Sequence, residues 1–518
     1  MRDVLARYWV VVHISLLAVF LVWIPGSVSA NLYSGIPWLC LAVLEMTLLL
    51  PSPRKNETLA MARARVSRSV FSDPLLTIGA MLCLYLLLQY WNGGRTLAFD
   101  AVSNQWVFSP PPVRWGPFCV DPGEALQPLY WFLPVFAVAL GIRHGTNRQG
   151  KLILLRTIAG NGALFSLFGL AQYLSGTTSL FWMIPTGSRF FASFHLVNQA
   201  GAFFNLMFAV NLGLLVQAFL QKEDRWHTYW LGPALVLNFC GALFSMSRSG
   251  ILFALLLLLC GGVYCMRHIW RQVETGVRFR MLSIYAVVLV AGATFLFFLL
   301  PENPILRQLH TIDWAKLDEG IIGVRWLQIV TAWRVWLDAP VFGVGGGGYH
   351  HFACLLLDEP QRALLHNGAA VGNDLLQFLV EHGLLGVGLM LGGVAVLLAP
   401  VIRRLRLAHM TNVDGWIGEP WLLFRVSPVT ILILAGTTLI FFESLIDLPF
   451  RSPAILITWV IALVCAPAFL ATGSGALKVK PQSRTGQALK NKAHASTGLP
   501  ADLRAEDAGV AKRSESLS

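Results

Sequence analysis

The chain has 518 residues, of which 56% are hydrophobic and only 13% are charged, with a formal net charge of +12. A soluble domain carries about a quarter charged residues, so this composition excludes a soluble globular enzyme. Apolar runs of about 20 residues recur from end to end, and each is long enough to cross a bilayer as a helix. Because the alternating pattern of a barrel is absent, the sequence predicts an all-α polytopic membrane protein.

About twelve transmembrane helices are predicted in chain order, within one domain over residues 1–471. They cover residues 8–29, 33–51, 71–91, 127–143, 152–175, 192–220, 229–247, 249–266, 281–300, 374–402, 427–446 and 453–471. Residues 472–518 are rich in Lys, Ser, Gly and Ala and lack apolar periodicity. That composition is typical of a disordered segment, here a basic tail.

The orientation follows from the distribution of the 39 lysines and arginines. Most of them fall in the alternate segments that include both termini, and basic residues are retained on the cytoplasmic side. Both termini are therefore predicted to be cytoplasmic, and residues 92–126, 176–191 and 301–373 to be outer loops. The largest, 301–373, has room for short helices and a site. The dispersed basic residues favour contact with membrane lipids over nucleic acid.

One arginine, Arg248, stands alone between two membrane-length apolar runs, in a Ser-Met-Ser-Arg-Ser-Gly segment. A guanidinium there is costly unless it lines a polar cavity or lies at a membrane face. Further arginines in the predicted outer loops are Arg189, Arg325, Arg334 and Arg451. The planar fork of Arg pairs with phosphate oxygens through two parallel bonds, so these five side chains could converge on a diphosphate.

The large outer loop contains a predicted amphipathic helix at residues 324–337, which ends before Pro340. Arg325 and Arg334 lie on it, and the alternative to a ligand role is a solvated or lipid-facing position. A glycine run follows at 345–348. It either offers its N–H groups to an anion as a nest or forms a flexible turn.

Further polar candidates lie at the ends of the last predicted helices. Asn373 either caps the helix that follows or lines a polar site. Glu381 lies about two turns into that helix, and a carboxylate inside a membrane either binds a ligand or pairs with an inward-facing arginine. Asp447 lies in the turn before the last helix, where a local pair with Arg451 is the structural alternative.

The eight cysteines lack the spacing of metal ligands. No metal site and no cofactor are predicted. Cys119 and Cys354 both fall in outer loops. They either form a disulfide in an oxidising periplasm or stay unpaired.

Several segments together resemble the O-antigen ligase family, or Wzy_C superfamily, over about residues 70–470. They are Ser-Arg-Ser-Gly at 247–250, the Arg325…Pro340…Gly343-Val-Gly345 stretch, Asn373-Asp-Leu-Leu-Gln-Phe-Leu-Val-Glu-His-Gly-Leu-Leu-Gly386, Asp447-Leu-Pro-Phe, and Phe194…Asn198. Each segment is short, and their order and topology make the match specific.

The resemblance implies a glycosyltransferase of the GT-C type in the bacterial inner membrane. Such enzymes use a glycan linked to undecaprenyl diphosphate as donor and act at the periplasmic face, without a metal. They transfer the glycan to an acceptor hydroxyl on lipid A-core, on another glycan or on a protein. The resemblance also implies that Arg248 and Arg325 hold the lipid diphosphate.

The chain departs from this family at one position. Family members carry a proposed basic His directly before the Asn-Asp pair, and the matching residue here is Gly372. His366, six residues earlier, is the first candidate for the base. His350, His351 or a group of another kind are the alternatives.

A non-enzymatic alternative is a lipid-linked oligosaccharide flippase or polysaccharide exporter, which could use the same arginines to bind a diphosphate. A flippase should need polar groups along a path to the inner face as well. The polar clusters predicted here all lie on the outer side, which favours an enzyme.

Overall fold

The computed structural model describes residues 2–24, 30–53, 56–101, 104–186, 189–220, 225–272, 321–364, 370–410 and 426–470, with single positions at 279, 283, 286 and 290. Helices dominate these residues. They are α1 (Arg2–Trp23), α2 (Ala30–Leu49), α3 (Leu59–Phe71), α4 (Pro74–Trp91), α5 (Pro122–Ala125), α6 (Gln127–Gly145), α7 (Arg148–Leu174), α8 (Val197–Leu220), α9 (Arg225–Phe244), α10 (Arg248–Gln272), α11 (Ile321–Asp338), α12 (Gly348–Leu356), α13 (Glu359–Leu364), α14 (Asp374–Met410), α15 (Pro428–Glu443) and α16 (Pro453–Cys465).

Six of the described helical segments are long and apolar enough to cross a membrane: Pro74–Trp91, Pro122–Gly145, Arg148–Leu174, Val197–Phe219, Arg248–Met266 and Asp374–Arg403. Shorter apolar helices lie at Tyr8–Trp23, Gly35–Leu49, Tyr229–Phe244, Pro428–Glu443 and Pro453–Phe469. Together they coincide with every predicted transmembrane helix except the one at 281–300, which lies almost wholly outside the described residues. The polytopic helical class is confirmed, and the count of twelve stays a prediction.

The central helix of the bundle is α8, which packs against α9, α10 and α15. Two glycines allow α8 and α10 to touch, because a Cβ on Gly250 would lie 2.9 Å from the Cα of Gly201. The side-chain amide of Asn205 donates to the Gly250 carbonyl at 3.0 Å across the same contact. This close approach fixes the first turn of α10, and with it Arg248, at one end of the bundle core.

That same end, which we call the outer end, carries the segments predicted to be outer loops. A hairpin of β1 (Leu97–Asp100) and β2 (Gln105–Phe108) is antiparallel, with Leu97 opposite Phe108. A smaller hairpin pairs β3 (Ser179–Leu180) with β4 (Ile184–Pro185). The Arg95 guanidinium lies over the rings of Phe118 at 4.9 Å and Phe352 at 5.7 Å, which joins the first loop to α12.

The cysteines of the outer loops are not joined to each other. Cys119 is buried and Cys354 is half-buried, and no disulfide links them. Burial raises the pKa of the Cys119 thiol to about 11. Of the two alternatives, the structure therefore has the one without a disulfide.

The residues after α11 pair with the middle of α14 through their backbones. Val344 N–H donates to the Val380 carbonyl at 3.0 Å, and Gly345 N–H donates to the Glu381 carbonyl at 2.9 Å. Gly383, with a φ of +60°, interrupts the regular α14 helix at this contact. The glycine run and the residues before it, which we call the glycine seam (residues 343–348), are therefore ordered rather than a flexible turn. The N–H groups of Val344 and Gly345 bind carbonyls of the chain rather than an anion.

A methyl group at Gly383 should disrupt this seam. A Cβ there would lie 2.3 Å from the Val341 carbonyl oxygen, and the residue would keep a left-handed backbone. We expect Gly383→Ala to lower the free energy of unfolding by about 2–3 kcal/mol, measured as thermal unfolding in detergent.

The matched control is Gly388→Ala in the same helix, since a Cβ at Gly388 meets nothing within 4 Å. Alanine favours a helix over glycine by about 1 kcal/mol, so this variant should be as stable as the native chain or slightly more stable. Equal stability of the two variants would mean that the seam does not hold the outer end together.

Candidate functional site

The segment between α15 and α16, residues 443–452, is an ordered turn that we call the outer turn. Ile446 N–H and Asp447 N–H both donate to the Glu443 carbonyl at 2.9 Å, so the helix continues for one more turn. A short 3₁₀ helix at Pro449–Arg451 follows. Backbone carbonyls near this point have no helical partner ahead of them, because Pro449 has no N–H to donate.

Arg325 contacts the outer turn directly. Its Nη1 donates to the Ile446 carbonyl at 2.8 Å, and the residue is half-buried near the start of α11. Arg334 lies about two and a half turns further along α11 and is exposed. Arg189 is likewise exposed, in the connector before α8. Only Arg325 of these three thus has a described hydrogen bond to the outer turn, and the substrate-binding roles of Arg189 and Arg334 stay predictions.

Arg248 lies next to the same turn because its neighbour in sequence, Ser249, binds a residue of that turn. Ser247 Oγ accepts the Gly250 N–H at 3.0 Å, which caps α10, and Ser249 Oγ donates to Glu443 Oε1 at 3.0 Å. Arg248, exposed between these two serines, is therefore held at the edge of the outer turn.

Glu443 is a residue that sequence reasoning did not select for the site. It is buried, and its Oε2 has no hydrogen-bond partner among the described residues. The signal was present, since an acidic residue ends an apolar helix here as Glu381 interrupts another. Its one described hydrogen bond, from Ser249, joins the end of α15 to the start of α10, where Arg248 lies.

Asp447 connects the outer turn to the start of α8. Its Oδ2 accepts a hydrogen bond from the Asn198 side-chain amide, and its Oδ1 accepts the Leu448 N–H at 2.8 Å. Gln199 Nε2 donates to the Leu448 carbonyl at 3.1 Å. The predicted local pair of Asp447 with Arg451 is replaced by these contacts.

Asn373 and Asp374, at the start of α14, have different roles: the first caps the helix and the second connects it to the outer turn. Asn373 Oδ1 accepts the Leu376 N–H at 2.9 Å, so Asn373 caps the helix and its substrate-binding role stays a prediction. Asp374 Oδ2 accepts the Phe450 N–H at 2.8 Å, and its own N–H donates to the Ser444 carbonyl at 2.9 Å. Asp374 therefore fastens α14 to both ends of the outer turn.

Glu381 is joined to Arg451 through one intervening side chain. Gln377 Nε2 donates to Glu381 Oε1 at 2.9 Å, and Gln377 Oε1 accepts from Arg451 Nη2. Glu381 thus accepts a hydrogen bond from a neutral donor, with the positive charge of Arg451 one residue away, and it forms no direct pair with an arginine of the described residues.

A cavity of about 520 Å³ lies against this network. Its polar lining includes Glu124, His350, Gln377, Glu381 and Arg451. Most of the other lining residues are apolar, among them Leu75, Phe136, Val394, Leu397 and Trp459. Because Leu75 and Leu397 lie toward the opposite end of the bundle, the cavity extends from a polar mouth along the helices. This shape suits an amphiphile with one charged end.

The position at which the family has its histidine cannot readily hold one. Gly372 has a φ of +70°, and a Cβ there would lie 2.8 Å from Gln328 Oε1. His366, the first candidate for a base, lies outside the described residues. At the start of α8, His195 has a buried Nε2 without a hydrogen-bond partner among the described residues, and burial lowers its pKa.

The other two histidine candidates lie at the cavity mouth. His351 Nε2 is 3.4 Å and His350 Nδ1 is 3.7 Å from Glu124 Oε2. Burial lowers the pKa of His351, and the charge of His350 adds to this effect while Glu124 opposes it. Both histidines therefore face Glu124 rather than the outer turn.

The O-antigen ligase family model matches residues 233–414. The matched range contains Arg248, Arg325, the glycine seam and all of α14, so the resemblance drawn from the sequence is confirmed over these residues. The outer turn follows the matched range in the chain. The chain matches no curated protein.

Replacing Asp374 should loosen the outer turn. In Asp374→Ala the Phe450 N–H loses its acceptor, which should cost about 1–3 kcal/mol of folding stability. Asp374→Asn keeps an oxygen that can accept this N–H and should retain most of the stability. Thermal unfolding of both variants in detergent gives the comparison, and an equal loss in the two would show that charge rather than the hydrogen bond is what matters.

Proposed function

We propose that the chain is a membrane glycosyltransferase that ligates or polymerises glycans, because residues 233–414 match the O-antigen ligase family model. Its donor is a glycan linked to undecaprenyl diphosphate, and its acceptor is a hydroxyl at the periplasmic face. One observation carries the proposal: Arg325 and the serine beside Arg248 both bind the outer turn, three residues apart, at Ile446 and Glu443. Two guanidinium groups at one turn suit a diphosphate.

The two arginines act on the leaving group. The acceptor oxygen forms a bond to the anomeric carbon of the donor sugar while the bond from that carbon to the diphosphate oxygen breaks, with inversion. The diphosphate leaves with the electron pair, so negative charge grows on its oxygens. Arg325 uses one N–H on Ile446 and has others to offer. Fixed donors aimed at growing charge are a large source of catalysis.

The cavity supplies a place for the apolar chain of a lipid-linked substrate. It has Arg451 at its polar mouth and apolar side chains along its depth. An apolar chain can enter this lining from the bilayer without a large desolvation cost, and it then positions the head group at the outer turn. Positioning of this kind lowers the barrier without adding a chemical group.

The proton of the acceptor hydroxyl goes to a base, and we assign this role to His366. The backbone at Gly372 excludes the family's usual position, and His350 and His351 face Glu124. His366 is six residues from Gly372 in the same segment. Proton transfer by a positioned histidine typically contributes 10²–10⁴-fold to the rate.

Removing either arginine should nearly abolish transfer. We expect Arg248→Ala and Arg325→Ala to lower kcat by roughly 10²–10³, because one stabilising donor set is lost in the transition state. Arg325→Lys keeps the charge without the planar fork and should be intermediate. The assay follows glycan transfer in vesicles from a polyprenyl-diphosphate donor supplied at the outer face.

The control is Arg114→Ala, which removes an exposed positive charge from the outer loop at 92–126. It should transfer at the native rate. Native transfer by an Arg248 or Arg325 variant at equal protein level would exclude the proposed site. Transport of the donor without any transferred product would instead support the flippase.

Replacing His366 should affect the chemical step and not donor binding. His366→Ala is expected to lower kcat by about 10²–10⁴ with little change in KM for the donor. His13→Ala, which removes a histidine of α1 that contacts the Leu39 carbonyl, serves as control. Full activity of His366→Ala would eliminate His366 as the base and make His195, with its buried free nitrogen, the next residue to replace.

A further inference from the structure

Three side chains that the proposed reaction does not use meet at the cavity mouth: Glu124, His350 and His351. One ring nitrogen of each histidine and a carboxylate oxygen of Glu124 all lie within 4.8 Å of one another. They come from α5 and α12, which lie more than 220 residues apart in the chain. Sequence spacing therefore could not reveal the group.

Two of these polar atoms face each other without a hydrogen bond. Glu124 Oε2 and His351 Nε2 are 3.4 Å apart, both are buried, and neither has a hydrogen-bond partner among the described residues. Buried polar atoms are almost always satisfied, so such a pair needs an explanation. A shared cation between the two lone pairs would satisfy both atoms at once.

The distances match those around a tetrahedral metal ion. Zinc binds histidine nitrogen and carboxylate oxygen at about 2.0–2.2 Å, so neighbouring ligand atoms lie roughly 3.3 Å apart. The observed separation of Glu124 Oε2 from His351 Nε2 is 3.4 Å, and the three ligand atoms all lie within 4.8 Å of one another. Three protein ligands of the types His, His and Glu leave one position of the tetrahedron for water or a substrate oxygen.

The surrounding chain supports the two ligand-bearing segments. His350 Nδ1 lies 2.8 Å from the Gly347 carbonyl, and donation there orients the ring and leaves the lone pair on Nε2. Gly347 itself makes room for Glu124, because a Cβ at Gly347 would lie 2.6 Å from Glu124 Oε2. The last glycines of the run thus allow the carboxylate to reach the histidines.

We propose that Glu124, His350 and His351 bind a zinc ion at the mouth of the cavity. The ion would tie α5 to α12 across the outer end, with the ligand atoms of Glu124 and His351 buried and the three side chains 28–35% exposed. This site is separate from the arginines of the outer turn, and zinc binding does not depend on the proposed glycan transfer.

The test measures zinc on the full-length protein in detergent, with any affinity tag removed. The protein is stripped with a chelator, incubated with zinc sulfate, desalted and analysed for metal content, and its affinity is measured by competition with a chromophoric chelator. We expect one tightly held zinc per chain and a rise in the melting temperature on zinc addition.

Two ligand variants and one control decide the outcome. His351→Ala and the isosteric Glu124→Gln should bind zinc roughly 100-fold more weakly or worse, since losing even an outer-shell partner costs 10–100-fold. His13→Ala removes a histidine away from the site and should bind like the native chain. Size-exclusion profiles and metal-free melting temperatures show whether the variants are folded.

Two results would contradict zinc binding at this site. A native protein that retains no zinc after desalting, or folded ligand variants that hold zinc as tightly as the native chain, would overturn the proposal. Loss of glycan transfer with zinc binding intact, or the reverse, separates this inference from the proposed function.

Discussion

The outer turn at residues 443–452 is the feature on which the rest of the site depends. It follows an apolar helix and precedes a proline, so its carbonyls and N–H groups are left without helical partners at the membrane face. Such groups are costly to leave unsatisfied. The chain satisfies some of them with side chains from other helices: Arg325 from α11, Asp374 from α14 and Gln199 from α8. The need to satisfy these backbone groups thus brings together polar side chains from segments that are distant in sequence.

The acidic side chains at this turn accept hydrogen bonds from neutral side chains. Glu443 is bound by the Ser249 hydroxyl, Asp447 by the Asn198 amide, and Glu381 by Gln377. Each carboxylate has a neutral donor, while the arginines Arg248 and Arg451 lie at the exposed edge. Arg451 donates to the neutral Gln377 side chain and keeps further N–H donors for a ligand. A closed salt bridge at the same place would stabilise the turn and remove that capacity.

The sequence predicted the class of the protein well and its site in part. Hydropathy revealed the helices because a bilayer demands long apolar segments, and the amphipathic helix at 324–337 is α11 with slightly wider bounds. Arg248 could be selected because a guanidinium between two membrane-length apolar runs is rare. The sequence could not show which partner each would take: Arg325 binds a carbonyl and Arg451 binds a glutamine. Such partners depend on how helices distant in sequence pack.

The glycine run shows most clearly why local pattern is insufficient. From residues alone it was a nest or a flexible turn, since glycine permits both. The structure uses the absence of side chains differently at each position: Gly343 abuts the Glu381 backbone, Gly345 abuts Cys119, and Gly347 abuts Glu124. Glycine is needed at these positions because three separate segments of the chain approach the backbone of residues 343–347. The local pattern of glycines cannot show which segments these are.

The same reasoning explains why a histidine is absent at 372. The backbone there turns with a positive φ and passes close to Gln328 on α11, the helix that carries Arg325. A side chain at this point would be strained by the left-handed backbone, and the end of the Gln328 side chain would have to move aside. Glycine meets neither difficulty, so the local backbone accounts for the residue found here. A base at this site must then come from another part of the chain.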